Sequence, residues 1–433
     1  MRSRLRLAVL AMLVVITGHP GGVEAMAPRV RVGLARGVPE VRFSGVEGVT
    51  VSSRRGGATL AWVEPGRVWR LRPSDAAVEL SGEEGEGPWR TEDGVVLSPP
   101  EGGTVTIYGL SGHWDGVADR RYRGTVEVFG HGGGGLTVVN VLDLEAYLRG
   151  VVPSEMPAGY PEEALKAQAV AARGQALMKA GRHRQEGFDL CVGEHCQVYG
   201  GATSETERSD RAVAMTRGEV LLWARRLADT LYSSNCGGHT TNNEDYWLGQ
   251  PPVPYLRGQP DFEPGGQVQH QFPLPQAELE RFLKYAPALN CNQPQYAQAQ
   301  TIRWWFLASR AELEEKMTRE LGDFGELLGL RIGERADCGA VQTLYIVGSR
   351  RLVRVRGGPA IRRALGGLNS ARFALEPVLG EDGLPVAFVI WGAGWGHQVG
   401  MCQVGAAGLA ERGWDYQRIL LKYYPGCTLA RRY

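Results

Sequence analysis

The stretch "VVNVLDLEAYLRGVVPSEMP", residues 138–157, decides how the chain is read. Its first part, "VVNVL", is β-branched and apolar, as a buried strand is. Asp143 is a helix N-cap candidate, and Leu144, Tyr147 and Leu148 recur at helical spacing. Gly150 is placed to end that helix. "VVPSEMP" then reads as a rigid turn with one carboxylate, Glu155, between two prolines. A glutamate before a helix is ordinarily a surface charge that complements the helix dipole. The other reading is a catalytic acid. Apolar Val151, Val152 and Met156 would desolvate its carboxyl and raise its pKa, as a general acid near neutrality requires.

On the C-terminal side, "PEEALKAQAVAARGQALMKAG" carries the strongest helical signal in the chain. Pro161 suits a helix start, Glu162 and Glu163 oppose the dipole, and Gly181 ends the run. Lys166 and Arg173 are seven residues apart and share a face, either a cationic stripe beside Glu155 or a solvated surface. On the N-terminal side, residues 28–70 alternate as short strands do, and "TVTIYGL", "GTVEVFG" and "LTVVNVL" continue the pattern. Further on, "RAVAMTRGEVLLW" and "LADTLYSSNCGG" suggest a helix and a strand pair. Residues 262–300 look irregular, and Ser309 with Glu312 forms a capping box. "VQTLYIVGS" and "RLVRVRG" form a hairpin, and a Gly-rich loop runs into two C-terminal helices. The expected fold class is α+β, mostly β with a few helices around the turn at Glu155. The expected divisions are 1–25, a signal peptide; 26–119, β-rich; 120–261, the core; 262–330, an irregular or helical insertion; and 331–433, a hairpin, loop and helices completing the core.

The first 25 residues combine a basic start, the apolar run "LAVLAMLVVI" and the small-residue site "VEA". This predicts export to the periplasm, cell wall or exterior, with a membrane anchor if the segment is not cleaved. With 48 basic and 47 acidic side chains, the chain lacks the basic field a nucleic-acid partner requires. Seven cysteines in an exported chain make disulfides plausible, and the odd number leaves one for another use. Cys191 and Cys196, with His183, His195, Cys236 and His239, carry metal-ligand chemistry. The competing readings are a disulfide, Cys191 to Cys196 or either one to Cys236, and a Cys–His nucleophile. In "GWGHQVGMCQVGAAG", His397 and Gln403 are polar groups in an apolar loop, without the spacing of a dinucleotide fingerprint.

Taken together, these stretches resemble the SpoIID/LytB family, the stage II sporulation proteins D and the amidase enhancers. The likeness is carried by residues 138–157, "PEEALKAQAVAARGQAL", "FDLCVGEHCQVYGG", "LYSSNCGGHT", "PYLRG" with Asp261, and "GWGHQVGMCQVGAAGLAERG" before "ILLKYYPG". It implies lytic transglycosylase activity on peptidoglycan, cutting between N-acetylmuramic acid and N-acetylglucosamine in strands stripped of stem peptides. The matching catalytic residue is Glu155. Lys166, Arg173, Tyr255, His397 and Gln403 would position the sugar. Zinc, where members bind it, would fall on Cys191 and Cys196, with His183 as the third ligand. The chemistry itself needs no cofactor. Two positions depart from the family pattern: Cys402 stands where a serine is usual, and Gln398 where a glycine is common. Hydrolytic glycosidases use two carboxylates; a lytic transglycosylase needs one, because the C6 hydroxyl of the muramic acid attacks. Two other functions compete. One is a peptidoglycan-binding enhancer of a cell-wall amidase; the other is a zinc hydrolase, which the absence of an H-E-x-x-H motif disfavours.

Overall fold

The computed structural model describes residues 26–75, 77–110, 116, 119–262, 271–293 and 295–433. The expected signal peptide lies outside the described residues. The fold is α+β. Two antiparallel sheets occupy the N-terminal part. The larger runs in spatial order Leu190–Cys191, Arg29–Val38, Leu136–Asp143, Thr125–Gly130, Val95–Ser98, Val49–Ser53 and Thr59–Val63. Its one parallel pairing is between the first two of these strands. The smaller runs Arg120–Tyr122, Val105–Tyr108, Val41–Gly45, Trp69–Ser74, Ala77–Gly82 and Trp89–Thr91. Alternate residues of these strands are buried, so each sheet gives one face to a shared core containing Phe43, Leu71, Leu80, Leu97 and Val126.

Leu136–Asp143 is the exception. All its residues except Asp143 are buried, because one face meets that core while Val139 and Val141 pack on Phe188 on the other. The β-branched run at 138–142 is therefore a strand covered on both sides. It aims the chain into helix α1, Leu144–Glu155. Asp143 caps α1 by accepting the Ala146 N–H at 2.9 Å.

The expected end of this helix is corrected. Gly150 does not terminate α1; the helix passes through it and through Pro153, so Glu155 is its last residue rather than part of a turn between prolines. A Cβ at Gly150 would lie 2.6 Å from the Tyr199 ring and 2.9 Å from the Gly201 carbonyl. The glycine is there for close packing. Pro153 sits in the last turn, where its missing N–H leaves only the Arg149 carbonyl without its helical donor. The Ser154 hydroxyl donates to Gly150 O at 2.8 Å and helps close that turn.

Helix α2, Glu162–Lys179, is buried along most of its length, from Ala164 to Ala176. It packs on α1, on α3 (Glu207–Met215) and on the two C-terminal helices Gln403–Glu411 and Tyr416–Tyr423. The last strand, Thr428–Arg431, pairs with Glu219–Trp223. A second unit has its own core, including Trp304, Leu313, Phe324, Ile346, Ile361 and Phe388. It contains the capping-box helix Arg310–Leu321 and the expected hairpin Thr343–Gly348 with Leu352–Arg356. Its other sheet joins Arg303–Ser309, Pro385–Ala393 and Phe373–Leu379. The segment expected to be irregular holds a helix, Gln276–Lys284, whose Leu279, Phe282 and Leu283 are buried. Among the described residues, no helix is long and apolar enough to cross a membrane.

Candidate active site around Glu155

The end of α1 is clamped by the loop after Cys191. The motif "HCQVYG", residues 195–200, gives nearly every residue a task. The Tyr199 hydroxyl donates to Asn140 at 2.7 Å, and its ring packs on Tyr147 with centroids 4.9 Å apart. Gly200 N–H donates to the Gly150 carbonyl at 3.1 Å. Val198 N–H donates to Glu155 Oε1 at 2.7 Å. The Gln197 amide donates to the Tyr232 hydroxyl at 3.0 Å and to Ala172 O at 3.1 Å, while its oxygen accepts from Tyr147 at 3.3 Å. With Gln197 donating to its oxygen, the Tyr232 hydroxyl keeps its own proton free, and its nearness to Glu155 lowers the pKa of that carboxyl.

This surrounding sets the acidity of Glu155. Burial raises its pKa to about 7, against the lowering effects of the Val198 N–H, the Tyr232 hydroxyl and the charge of Lys179. A carboxyl poised there is protonated about half the time at neutral pH, so it can give a proton and take one back. Its main-chain carbonyl accepts from Gln403 Nε2 at 2.9 Å, and Gln403 is in turn 3.2 Å from Gln168 Oε1 on α2.

Three groups support Tyr232. The His397 ring lies beside the main chain of Tyr232, which acts on its pKa, and packs on Trp247, centroids 5.2 Å apart. Its Nδ1 accepts the Val399 N–H at 3.0 Å. Burial, with the nearby charges of Lys179 and Arg362, drives the His397 pKa down to about 3, so the ring is neutral. The Tyr255 hydroxyl accepts from Asp229 N–H at 2.9 Å and so holds the segment leading to Tyr232. Thr230 donates to Ala171 O at 2.6 Å; a Cβ at Gly174 would lie 2.5 Å from the Thr230 hydroxyl, so glycine is what lets this segment lie on α2.

Gln403 thus bears directly on Glu155 and His397 on Tyr232, while Tyr255 reaches the site only through the Asp229 main chain. Lys166 and Arg173 do not reach it, and the idea of a cationic stripe facing Glu155 is corrected. Lys166 Nζ turns back to Glu162 and Glu163, at 3.1 and 2.7 Å. Arg173 is fully buried and doubly hydrogen-bonded to Glu145, at 2.8 and 2.7 Å, with a further bond to Glu219 O at 3.0 Å. It ties α2 to α1 and to the strand Glu219–Trp223. Lys179, which sequence reasoning missed, is the cation whose charge reaches Glu155; its Nζ donates to Cys196 O at 2.8 Å. As the last residue of a helix it reads only as a dipole complement. Tyr232 was missed too, since nothing in "LYSSNCGG" distinguishes it from a core tyrosine.

The same loop carries a ligand cluster. One ligand atom each from His183, Cys191, His195 and Cys196 lies within 4.8 Å of the others. Two thiols and two imidazoles suit zinc. His183 Nδ1 is 2.9 Å from Glu186 Oε1, the carboxylate that commonly orients a ligating histidine. The donor set fits the metal, with His195 joining the three expected ligands. None of the seven cysteines is disulfide-bonded. Cys236 and His239 stand elsewhere: Cys236 is 3.8 Å from Cys291, and His239 is bonded to Thr240 O at 2.6 Å.

Residues 132–223, which hold both α1 and the clamping loop, match the family of stage II sporulation proteins, SpoIID. Residues 241–400 match a domain of unknown function, DUF8618. The chain is 29% identical over 296 residues to the amidase enhancer of Bacillus subtilis, covering 65% of this chain and 40% of that protein. It is 30% identical over 295 residues to an uncharacterised protein of Brachyspira hyodysenteriae, covering 68% of each. The stage II sporulation protein D of Bacillus subtilis is 29% identical over 307 residues, covering 67% of this chain and 76% of that one. The strand, helix and loop that build the Glu155 site all fall within the SpoIID match, and the chain belongs to the SpoIID/LytB family.

Proposed function

We propose that the protein is a lytic transglycosylase of peptidoglycan, acting on glycan strands stripped of stem peptides. The observation that carries this reading is the carboxyl of Glu155, buried, held by the Val198 N–H and poised near pH 7. Protonated Glu155 gives its proton to the oxygen bridging muramic acid C1 to the next sugar, and that C1–O bond breaks. The C6 hydroxyl of the same muramic acid then bonds to C1 and returns its proton to Glu155. The product is a 1,6-anhydro sugar, and no water is consumed. Tyr232 and the Val198 N–H stabilise the carboxylate between the two steps. Gln403 and His397 act as positioning residues through the Glu155 carbonyl and the Tyr232 main chain. Trp247 and the exposed Trp395 offer flat apolar faces to sugar rings. Zinc held by His183, Cys191, His195 and Cys196 would brace the loop carrying Gln197 and Val198, with no step of the reaction passing through it.

The enzyme is taken to work outside the cytoplasm, where its substrate lies. A second reading, a peptidoglycan-binding partner of a cell-wall amidase, draws on the likeness to the amidase enhancer, of which this chain spans 40% of the length. One experiment separates the two. Denuded glycan is digested with wild type and with Glu155→Gln, and the ends are read by mass spectrometry. Anhydro ends with wild type alone support the enzyme; glycan retention without new ends supports the binder.

A further inference from the structure

A second group of metal-ligating side chains lies beneath this site. Cys236, Asp261, Cys291 and Cys402 come from four separate stretches of chain, yet one ligand atom from each falls within 4.8 Å of the others. All four residues are completely buried. Cys236 Sγ is 3.3 Å from Asp261 Oδ2 and 3.8 Å from Cys291 Sγ. Tetrahedral ligands bound to zinc at ~2.3 Å lie ~3.8 Å from one another, whereas a disulfide requires about 2.05 Å. The Cys236–Cys291 separation is too long for a disulfide and allows both sulfurs to bind one ion.

The surroundings are those of a metal site. Asp261 Oδ1 is occupied by Lys422 Nζ at 3.0 Å, the Tyr423 hydroxyl at 3.0 Å and Asn290 Nδ2 at 3.1 Å, which leaves Oδ2 turned to the thiols. Cys402 Sγ accepts two backbone N–H groups, from Cys236 at 3.1 Å and Gly405 at 3.2 Å. Three thiolates and a carboxylate around a divalent ion carry a formal charge of −2. Three cations lie against the cluster: Lys422 on Asp261, Arg372 on Cys236 O at 2.6 Å, and Arg303 on Gly237 O at 3.1 Å. Buried charge of one sign demands this kind of compensation.

We propose that Cys236, Asp261, Cys291 and Cys402 form a closed, structural site for a thiophilic divalent ion, zinc by its ligand chemistry. Binding releases the thiol protons to solvent. The site has a place in the architecture: Cys402 caps the helix whose first residue, Gln403, holds the Glu155 carbonyl. The inference is independent of any glycan-cutting activity.

The test measures zinc and thiols on the full purified chain. Wild type is expected to hold two zinc equivalents, and Cys291→Ser one. Cys191→Ser/Cys196→Ser, which removes the other cluster, is expected to keep one equivalent. Cys402→Ser restores the residue common in the family and serves as the variant best suited to stay folded, as checked by circular dichroism. It should lower zinc affinity at the buried site at least tenfold. Apo wild type titrated with cobalt(II) should show thiolate-to-cobalt absorption in two steps, the second surviving in Cys191→Ser/Cys196→Ser. Zinc content unchanged in Cys291→Ser overturns the proposal. So does a Cys236–Cys291 disulfide found by peptide mass spectrometry, or a metal-free cluster with freely titrating thiols.

Discussion

Replacing Glu155 with glutamine should cost the activity and yet stabilise the protein, by an amount that depends on pH. Burial raises the Glu155 pKa from the ordinary 4.5 to about 7. Below pH 4.5 the side chain is protonated in both folded and unfolded chains and contributes nothing pH-dependent. Between pH 4.5 and 7 the unfolded chain gives up the proton while the folded chain keeps it, so wild type loses stability as pH rises. Above pH 7 both are ionised and the loss is complete. At 1.36 kcal/mol per pKa unit, it comes to about 3 kcal/mol. Glutamine does not titrate, so the stability of Glu155→Gln relative to wild type should grow by about 3 kcal/mol between pH 4 and pH 8. Denaturant melts of both proteins across that range measure it directly, since all other groups cancel. Wild-type cleavage should be level below pH 7 and fall about tenfold per unit above it, as the proton donor is lost. A stability difference that is flat with pH would refute the argument, because it would mean the carboxyl is solvated.

Other outcomes follow from the same geometry. Arg173→Ala should destabilise the fold by ~3–5 kcal/mol, because it strands Glu145 without its buried partner, whereas Lys166→Ala should cost about 1 kcal/mol and leave cleavage by the folded protein near wild type; a large rate loss in stable Lys166→Ala would return Lys166 to the site. Tyr232→Phe removes a hydroxyl that lowers the Glu155 pKa, so the alkaline limb of the pH–rate profile should move up by about one unit. An unmoved limb would show that the hydroxyl does not bond the acid.

What the sequence disclosed depended on distance along the chain. The Asp143 cap, the buried strand before it and the acid at Glu155 are local signals, and local signals carry their own physics. Gly150 misled because a glycine that stops a helix and one that admits a neighbour look alike; the neighbour is Tyr199, 49 residues on. Lys166 and Arg173 do share a face, but periodicity does not say what covers a face. For Arg173 it is Glu145, on the preceding helix. Tyr232 and Lys179 bear on Glu155 only because α2 and the segment after Asp229 fold back over it. In residues 262–300 the i, i+3, i+4 spacing of Leu279, Phe282 and Leu283 marks a helix that the surrounding glutamines and prolines obscure. The buried cysteines gave two weak hints, an odd count and Cys402 in place of serine, while their convergence is a property of the fold alone.

The cost of Glu155 also bears on which function the site serves. A surface that only holds glycan gains nothing from a carboxyl that is expensive to ionise. An amide would make similar hydrogen bonds to sugar hydroxyls with no pH-dependent penalty. The fold nevertheless places an acid there, with the Val198 N–H donating to it and the Tyr232 hydroxyl close enough to lower its pKa. Those groups stabilise the ionised form, while burial favours the protonated one, and the balance leaves both forms accessible near neutrality. A group that must give a proton and then recover one within a single turnover needs that balance; a group that binds does not. The frame holding the balance is stiff: α1 is capped by Asp143, tied to α2 by Arg173 and Glu145, and clamped by the loop of residues 195–200. Stability given up at one carboxyl is thus offset by buried contacts around it, the arrangement expected where a proton is moved.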